Sequence, residues 1–516
     1  MGPTLTSMFE QTVAKYPNKE GLVDLRLGTR WTYQQWDLEV NKLANALLAE
    51  GVDKGDRVST VLFNTAEFAT TLFACMKIGA VFNPINFRLT AQEIDYIIKD
   101  ADPKIVLFEK ATAASVEGVA VSLPQITYWS IDEDELSYAK NYYDAINHSQ
   151  TSKPDCLVDE DDIYAIMYTS GTTGAPKGVL HSHRDMVDQA LVLTATLRLT
   201  QHDRGLTVAP MFHCAELHCT FFPRVMIGAS NVVLHHFDAS AMIQTIREEQ
   251  ISTLFAAPTM WNMVLQEEYS QEDFATLRQG LYGGAPMAPA LTTRLHDAIG
   301  VQLIQAYGMT EMGPAITVLL EDEQISKAGS AGRALINHDV RVVRTREDGP
   351  ADPDNICDSG ELGEIVVRGP STMKGYYRRP EATEEVMYKE WYHSGDIGYF
   401  DDENYLWVSD RVKDMIISGG ENIYSREVED VLFDHPLIID AAVIGEPDEM
   451  WGERVVAYIV SKGKLTEDEL DEFCTSSNRL ARYKRPRRYE FVEELPRNAS
   501  GKLQKFKLRD QQESRS

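Results

Sequence analysis

The stretch that decides the fold runs from Tyr168 to Gly178 and reads Y-T-S-G-T-T-G-A-P-K-G. It is the densest run of small, hydroxylated and glycine residues in the chain. Gly171 and Gly174 allow backbone N–H groups to turn inward, and Lys177 adds a positive charge. Hydroxyl donors come from Ser170, Thr172 and Thr173. These are the ingredients of a phosphate-binding loop, and a flexible surface turn is the alternative.

The loop is not of the Walker type. A Walker loop needs glycine immediately before its lysine and Ser or Thr after it, whereas Pro176 precedes Lys177 here and Gly178 follows it. The apolar run 162–168 predicts a strand before the loop, and the apolar residues of 186–193 recur at helical spacing after it. We therefore expect the loop to join a strand to a helix, where α/β proteins bind phosphate.

Composition excludes several classes of protein. Lys+Arg 50 against Asp+Glu 79 gives a formal charge of −29, which repels nucleic acid and anionic lipid, so we expect neither as a partner. The most apolar stretch, 68–85, contains Lys77 and Gly79 and predicts a core helix and a strand rather than a membrane anchor. The N-terminus lacks a secretory signal pattern. Cysteines without framework spacing are typical of a reduced, cytoplasmic protein.

The order of elements predicts an α/β protein. Strand-like runs at 206–209, 231–234, 252–256 and 302–306 alternate with helical patterns at 239–248 and 289–298. Such alternation is typical of parallel sheets covered by helices. From Gly363 onward, strands with turn signals predominate. A helix from Ser425, paired strands at 441–444 and 455–460, and a capping box at Thr466 and Glu469 then predict a small α+β domain.

Several segments resemble the motifs of the adenylate-forming enzymes, a superfamily that includes acyl-CoA synthetases, peptide-synthetase adenylation domains and beetle luciferases. The loop at 168–178 resembles the signature of this superfamily. The other matching segments are 209–213 (A-P-M-F-H), 282–286 (Y-G-G-A-P), 305–311 (Q-A-Y-G-M-T-E), 392–396 (Y-H-S-G-D), 410–414 (D-R-V-K-D) with 419–423 (G-G-E-N-I), and 496–502 (P-R-N-A-S-G-K). Ser394 stands where the superfamily usually has threonine. The resemblance spans nearly the whole chain.

The resemblance implies a fold and a reaction. The fold is α/β, with a large N-terminal domain of helix-covered sheets plus a distorted β-barrel, residues 1–412, and a small mobile α+β domain, residues 413–516. A carboxylate attacks the α-phosphate of ATP to give an acyl-adenylate and pyrophosphate, and coenzyme A then displaces AMP. Two anions meet in the first step, which requires positive charge and oriented donors.

The resemblance also implies roles for the ATP-binding residues. Glu311 would bind Mg²⁺, with Thr172 as a further candidate. Thr310 would donate to the α-phosphate, and Tyr307 and Gly308 would lie against adenine. Asp396 and Arg411 would bind the ribose hydroxyls. The residues expected around the phosphates are Thr169, Ser170, Gly171, Thr172, Thr173, Gly174 and Lys177, and those of the adenine-side turn are Gly283, Gly284 and Ala285.

Two further roles concern the C-terminal domain. Lys502 would contact both the carboxylate and the α-phosphate in the first half-reaction; otherwise it is one more lysine of a basic tail. Lys413 would be the hinge about which the domain rotates, bringing Gly419 and Gly420 toward the acyl-adenylate for the pantetheine arm of coenzyme A. A basic cluster at 479–488 would meet coenzyme A phosphates or form a solvated face.

The acid pocket is expected around the segment H-C-A-E-L-H-C at 213–219. His213 would lie beside the carboxylate, and the expected acyl pocket residues are His213, Ala215, Leu217, Phe221, Ala257, Trp261 and Tyr282. This mostly apolar set favours a medium- or long-chain fatty acid, and then an aromatic acid of the cinnamate or benzoate type. Glu216 and His218 have no role in this interpretation. A zinc site in the segment is disfavoured because no second ligand pair accompanies it.

Competing interpretations stay open at this point. One is a stand-alone adenylation enzyme that loads a carrier protein, and another is a catalytically silent nucleotide-binding relative. We expect small-molecule substrates only, namely a carboxylic acid, ATP and coenzyme A, with Mg²⁺ as the metal. A homodimer is a possible assembly. The histidines at 181, 183, 235 and 236 are expected at strand ends and on the surface rather than as metal ligands.

Overall fold

The computed structural model describes residues 2–132, 136–169, 176–285, 287, 289–346, 349–411, 414–418, 421–448, 451–477, 479–497 and 503–513. These residues form two compact units. The first comprises Met1–Thr169, Pro176–Asp339 and Arg368–Glu385, and the second comprises Val340–Val367 and Val386–Ser516. The predicted boundary between residues 412 and 413 falls outside the described residues and stays a prediction.

An eight-stranded sheet of the first unit carries the phosphate-loop strands. Its strands, in spatial order, are Gly375–Tyr376, Lys177–Ser182, Ile163–Thr169, Val81–Pro84, Arg57–Val61, Ile105–Phe108, Thr127–Ser130 and Lys140–Asn141. Ile163–Thr169 and the strands after it in this order pair in parallel, whereas Lys177–Ser182 is antiparallel to both neighbours. The helix Tyr33–Ala49 precedes the first of these strands in the chain, and the helices Ala66–Ile78, Ala91–Ala101, Ala113–Ser122 and Tyr142–Asn147 lie between them. The helix and strand predicted within 68–85 are confirmed.

A nine-stranded sheet forms the rest of the first unit. Its strands, in spatial order, are Arg333–Ala334, Ala315–Leu319, Gln302–Gly308, Gln279–Gly283, Thr253–Phe255, Arg204–Thr207, Ser230–Val233, Glu20–Asp24 and Thr29–Thr32. Its central strands are parallel, as predicted. The remaining α-helices of this unit are Leu5–Lys15, His183–Thr196, Cys214–Glu216, Phe222–Ile227, Ala239–Glu248, Pro258–Val264, Pro289–Ile299 and Pro380–Glu384. A π-helix covers Leu217–Phe221, and 3₁₀ turns cover Lys110–Thr112, Gln271–Phe274 and Thr310–Met312.

The helical stretch from Cys214 to Ile227 separates two hydrophobic cores. Leu217 and Phe221 pack into the first core, together with Trp36 and Phe73. Ala215 and Cys219 belong to the second core, which contains Trp261, Tyr282 and the apolar side chains of the nine-stranded sheet. Residues on opposite sides of this stretch therefore lie in different cores.

The second unit contains two five-stranded sheets. The first has the strands Asp339–Val343, Gly363–Arg368, Trp391–Phe400, Met387–Tyr388 and Leu406–Arg411. The second has Glu421–Ile423, Ile416–Ser418, Gly452–Ser461, Ile438–Asp448 and Arg488–Phe491, with the helices Ser425–Phe433, Glu467–Ser476 and Lys505–Glu513. The capping box at Thr466 and Glu469 is present. The predicted fold class is confirmed: helix-covered sheets, a curled half-barrel sheet and a separate small C-terminal domain.

No helix within the described ranges is long and apolar enough to cross a membrane.

Candidate active site

The chain reverses direction between Thr169 and Lys177, which are paired residues of two antiparallel strands. The prediction that the loop joins a strand directly to a helix was wrong, because the strand Lys177–Ser182 lies between the loop and the helix His183–Thr196. Gly178 fits this strand since a Cβ atom there would lie 2.6 Å from a methyl carbon of Ile166. The predicted phosphate ligands Ser170, Gly171, Thr172, Thr173 and Gly174 lie outside the described residues.

The expectation that His181 and His183 are surface residues was also wrong. Both side chains are fully buried. The strand that carries His181 is covered on both edges, by Ile163–Thr169 and by Gly375–Tyr376. His235 and His236 do follow the end of a strand, as predicted.

The Thr310–Met312 turn is held at each of its three carbonyl oxygens. The Nε2 atom of His181 lies 2.6 Å from the Thr310 oxygen. The backbone N–H of Met373 donates to the Glu311 oxygen at 2.8 Å, and the hydroxyl of Ser371 donates to the Met312 oxygen at 2.5 Å. Because a carbonyl oxygen only accepts, the Nε2 atom of His181 must carry the proton. These hydrogen bonds therefore hold in place the backbone that carries Thr310 and Glu311, the two residues of this turn with predicted roles in ATP and metal binding.

The side chains of Thr310 and Glu311 are placed differently. The Thr310 hydroxyl lies 3.3 Å from the Sγ atom of Cys214, a buried thiol whose pKa is raised to about 12 by burial. The half-buried Glu311 accepts a hydrogen bond at Oε1 from the Tyr376 hydroxyl, at 2.9 Å. Its Oε2 atom makes no hydrogen bond to the described residues. A partly exposed carboxylate with one oxygen still open fits a hard cation such as Mg²⁺.

Tyr376 was missed by sequence reasoning. Its ring centroid lies 5.1 Å from the Nζ atom of Lys177, and its hydroxyl contacts Glu311, so one side chain touches both a predicted phosphate ligand and the predicted metal ligand. A tyrosine that follows a glycine carries no local signal of such a role. Only the pairing of Gly375–Tyr376 with the strand after the phosphate loop brings it there.

A close backbone contact and a left-handed backbone conformation explain the two glycines of the adenine-side turn. The strands Gln279–Gly283 and Gln302–Gly308 are parallel neighbours that end together, with Gly283 opposite Ala306. A Cβ atom at Gly283 would lie 2.4 Å from the carbonyl oxygen of Ala306, and Gly284 adopts a left-handed conformation with φ of +76°. Tyr307 and Gly308 stand at the same carboxyl edge, where parallel sheets bind ligands.

Asp396 and Arg411, the predicted ribose ligands, are directly opposite each other on two antiparallel strands of the second unit. Asp396 is buried, and its backbone N–H donates to the Ser394 hydroxyl at 3.0 Å. That hydroxyl donates in turn to the carbonyl oxygen of Ile365, so serine makes these contacts at the position where threonine is usual.

The His213–Cys219 segment begins a helix rather than a metal site. His213 is the N-cap, and its Nδ1 atom accepts a hydrogen bond from the Ala215 N–H at 3.1 Å. Cys214 contacts Thr310, whereas Cys219 packs into the second core. Among the described residues, only Asp159, Glu160 and Asp161 bring three ligand atoms of this kind together, and they include no residue of this segment.

Glu216 and His218, which had no role in the sequence interpretation, are both fully buried. Glu216 forms an ion pair of 2.8 Å with Arg224, and burial raises the pKa of the Glu216 carboxyl. The Arg224 guanidinium also donates to Thr207 and Asn231. His218 bonds to the Tyr164 hydroxyl and stacks on Phe222, and burial lowers its pKa well below the usual value.

The predicted acyl pocket residues are divided between the two cores. Trp261 and Tyr282 are buried in the second core with Ala215, and Ala257 packs against them. Leu217 and Phe221 lie in the first core instead. The Tyr282 hydroxyl lies 2.8 Å from Oε1 of Gln324 and 3.1 Å from Oε1 of Gln305, and its single hydrogen is donated to one of them at a time. The structure therefore brings together part of the predicted set and leaves the rest elsewhere.

The predicted hinge and coenzyme A residues, Lys413, Gly419 and Gly420, and the predicted catalytic Lys502 lie outside the described residues. Lys505, in the helix after Lys502, is anchored by an ion pair of 2.8 Å with Glu429. Much of the basic cluster is paired with carboxylates: Arg479 with Asp434, Lys484 with Glu427, Arg485 with Asp471, and Arg488 with Glu446. This pairing favours the solvated-face interpretation of the cluster.

Comparison with known proteins places the chain in a family. The family model described as AMP-binding enzyme matches residues 9–377, and the model described as AMP-binding enzyme C-terminal domain matches residues 427–502. The long-chain-fatty-acid–CoA ligase FadD13 of Mycobacterium tuberculosis is 37% identical over 98% of this chain and 97% of its own length. The feruloyl-CoA synthase of Amycolatopsis sp is 38% identical over 93% of this chain and 94% of its own length.

The solved structures agree with this placement. The o-succinylbenzoate coenzyme A synthetase of Bacillus subtilis, in complex with ATP and a magnesium ion, matches with a TM-score of 0.85 and 30% identity over 98% of this chain and 99% of that chain. These relatives are ligases of three different acids, so they establish the type of reaction but not the acid. The chain belongs to the AMP-binding enzyme family, and it is an ATP-dependent acyl-CoA ligase that uses Mg²⁺ and coenzyme A.

Proposed function

We propose that this ligase activates a hydrophobic carboxylic acid, with a medium- or long-chain fatty acid favoured. The acid becomes an acyl-adenylate with release of pyrophosphate, and the acyl group then passes to coenzyme A with release of AMP. The observation that carries this proposal is the buried ion pair of Glu216 with Arg224, 2.8 Å apart. The carboxylate of the predicted pocket-wall segment, 213–219, is thus neutralised inside the protein by an arginine that follows the segment.

This pair argues against two alternatives for the acid. An amino acid substrate needs a carboxylate partner for its ammonium group, and a dicarboxylate needs a cation for its second carboxylate. Glu216, the carboxylate of the 213–219 segment, and Arg224, which follows that segment, are committed to each other and fully buried. The second core, which contains Trp261 and Tyr282 and against which Ala257 packs, is mainly apolar, and this suits an uncharged acyl chain.

The site residues divide between the two half-reactions. Thr310 donates to the α-phosphate, Glu311 holds Mg²⁺, and His213 lies beside the acid. Mg²⁺ neutralises phosphate charge when it is bound. Lys502 contacts the carboxylate and the α-phosphate as the two anions meet. The residues that bind the rest of ATP are Thr169, Ser170, Gly171, Thr172, Thr173, Gly174 and Lys177 at the phosphates, Gly283, Gly284, Ala285, Tyr307 and Gly308 at adenine, and Asp396 and Arg411 at ribose.

The second half-reaction uses the C-terminal domain, residues 413–516. Rotation about Lys413 withdraws Lys502 and brings Gly419 and Gly420 to the acyl-adenylate, where backbone without side chains leaves room for the pantetheine arm. The mobility of this domain, a cytoplasmic location and a homodimer all remain predictions.

An aromatic acid is the second candidate, and two observations favour it. A feruloyl-CoA synthase is among the relatives. The buried Tyr282 hydroxyl, with Gln305 and Gln324, also places polar atoms beside the apolar wall, where they could meet a ring substituent. A carrier-protein acceptor in place of coenzyme A is a weaker alternative, because each of the relatives described above is named for coenzyme A.

The test is a panel of acids with AMP release as the readout. Purified enzyme receives ATP, Mg²⁺ and coenzyme A with acetate, octanoate, palmitate, cinnamate, ferulate, benzoate or succinate. We expect kcat/KM to be highest for octanoate or palmitate and to be at least tenfold lower for acetate and succinate. Highest kcat/KM with cinnamate or ferulate would establish the aromatic alternative, and preference for succinate would contradict the hydrophobic pocket.

A further inference from the structure

We call the antiparallel strands Ile163–Thr169 and Lys177–Ser182, on either side of the predicted phosphate loop, the phosphate hairpin. A short segment connects this hairpin to the Thr310–Met312 turn. We call residues 373–377 the strap. At one end, the Met373 N–H donates to the carbonyl oxygen of Glu311 at 2.8 Å. Further along, the N–H groups of Lys374 and Tyr377 donate to the carbonyl oxygens of Leu180 and Gly178, at 2.8 and 2.7 Å. The strap therefore links two segments that are far apart in the chain.

The Tyr376 side chain makes a second link across the same gap. Its hydroxyl donates to Oε1 of Glu311 at 2.9 Å, and its ring centroid lies 5.1 Å from Nζ of Lys177. Tyr376 is only 7% exposed, so its ring cannot swing freely. Its backbone N–H is also bound, to the Thr383 hydroxyl at 2.9 Å.

We propose that Tyr376 is a positioning residue that holds Glu311 and Lys177 in register for a metal-bound triphosphate. This inference rests on the proposed roles of those two residues. A carboxylate that binds a metal is typically hydrogen-bonded to an outer partner, and the Tyr376 hydroxyl supplies such a hydrogen bond at Oε1 of Glu311. Such outer partners of metal ligands typically change metal affinity by about 10- to 100-fold.

The aromatic ring acts on the lysine separately from the hydroxyl. A cation near an aromatic face is attracted to it, so the ring holds the ammonium group of Lys177 close to the hairpin. Tyr376→Phe keeps the ring and removes the hydroxyl, whereas Tyr376→Leu removes both. The two variants therefore separate the metal effect from the lysine effect.

The test measures metal binding directly. Mn²⁺ replaces Mg²⁺, and its affinity for the enzyme in the presence of ATP and the absence of acid is measured by electron paramagnetic resonance. We expect Tyr376→Phe to weaken Mn²⁺ binding about tenfold, as outer partners of metal ligands do, with little change in pyrophosphate binding. Tyr376→Leu should weaken both. Tyr138→Phe, which also removes one tyrosine hydrogen bond, is the control and should change neither.

A second readout excludes general damage. Thioester formation from supplied acyl-adenylate and coenzyme A needs no triphosphate, so it should stay within about twofold of wild type in Tyr376→Phe. Unchanged Mn²⁺ affinity in both Tyr376 variants, or equal loss of both readouts, overturns the inference. Failure of the wild-type enzyme to release AMP with any acid would instead contradict the proposed function itself.

Discussion

The Nε2 atom of His181 donates a hydrogen bond to the backbone carbonyl oxygen of Thr310 across a distance of 2.6 Å, between a strand of one sheet and a turn that follows a strand of another. His181 belongs to the strand that leaves the phosphate loop, and Thr310 begins the turn that carries the predicted metal ligand. His181 is buried, as are Gly178, Val179 and Ser182 of its strand, whereas Lys177 and Leu180 are partly exposed. The Thr310–Met312 turn is thus hydrogen-bonded to the strand that follows the predicted phosphate loop.

Replacing His181 by leucine should slow the first half-reaction. The Thr310 carbonyl oxygen would lose its hydrogen bond to His181 and keep only the one from the Gly313 N–H, at 3.2 Å. A typical hydrogen bond inside a protein contributes about 0.5–1.5 kcal/mol. We expect acid-dependent ATP–pyrophosphate exchange to fall roughly 2- to 10-fold if that loss appears in the activation barrier. The KM for the acid should stay nearly constant. His236→Leu, at an exposed histidine, is the matched control, and equal rates in the two variants would refute the link.

The Glu216–Arg224 pair should be structural rather than catalytic. Arg224→Met leaves the Glu216 carboxylate buried without its partner, and breaking such a pair typically lowers the free energy of unfolding by about 3–5 kcal/mol. The double variant Glu216→Leu with Arg224→Met should recover most of this loss. Thermal unfolding measures the loss of stability in the single variant and its recovery in the double variant.

The same variants test the proposed acid. If the Glu216–Arg224 pair has only a structural role, the double variant keeps the wild-type order of kcat/KM for octanoate, palmitate and succinate. A change in kcat/KM for succinate alone would show that Arg224 binds the second carboxylate of the substrate. That outcome would remove the observation on which the hydrophobic acid rests.

Acid should destabilise the protein through His183. Burial lowers the pKa of His183 from 6.5 to about 4, so the folded state keeps this ring neutral while the unfolded chain takes up a proton. The stability is therefore complete above pH 6.5 and falls as the pH drops, and the loss reaches about 3 kcal/mol near pH 4. His183→Asn should show a smaller decrease in melting temperature between pH 7 and 4.5. The exposed His202→Asn is the control, and parallel curves for the two variants would contradict this.

Replacing the predicted hinge should affect the second half-reaction. Lys413→Pro restricts the backbone at the position about which the C-terminal domain is proposed to rotate. We expect ATP–pyrophosphate exchange to stay within about threefold of wild type, and thioester formation to fall at least tenfold, as gating mutants do. Normal overall turnover would place the hinge elsewhere.

The features that could be predicted from the sequence are those determined by local patterns of residues. The helix Ala239–Glu248 was predicted to the residue because its apolar side chains recur at helical spacing. The glycines at 283 and 308 were recognised within motifs, and the structure shows close backbone contacts at each. The strand Lys177–Ser182 was missed because its buried and partly exposed positions do not alternate. Its sequence therefore lacks the period-two pattern by which a half-buried strand is recognised.

Features that depend on distant pairing could not be predicted. Tyr376 reaches Glu311 only because its short strand pairs with the strand after the phosphate loop. Glu216 and Arg224 lie on either side of a π-helical turn, which changes the spacing at which side chains of one helix meet. His181 was expected on the surface because its burial depends on a strand from a remote part of the chain.

The most direct test of the proposed mechanism is to measure the two half-reactions separately in Lys502→Ala. The first is acid-dependent ATP–pyrophosphate exchange, and the second is thioester formation from supplied acyl-adenylate and coenzyme A. We expect the first to fall by at least a hundredfold, since Lys502 is proposed to stabilise charge where two anions meet, and the second to stay within about threefold of wild type. Equal loss of both rates would contradict the assignment of Lys502 to the first half-reaction alone.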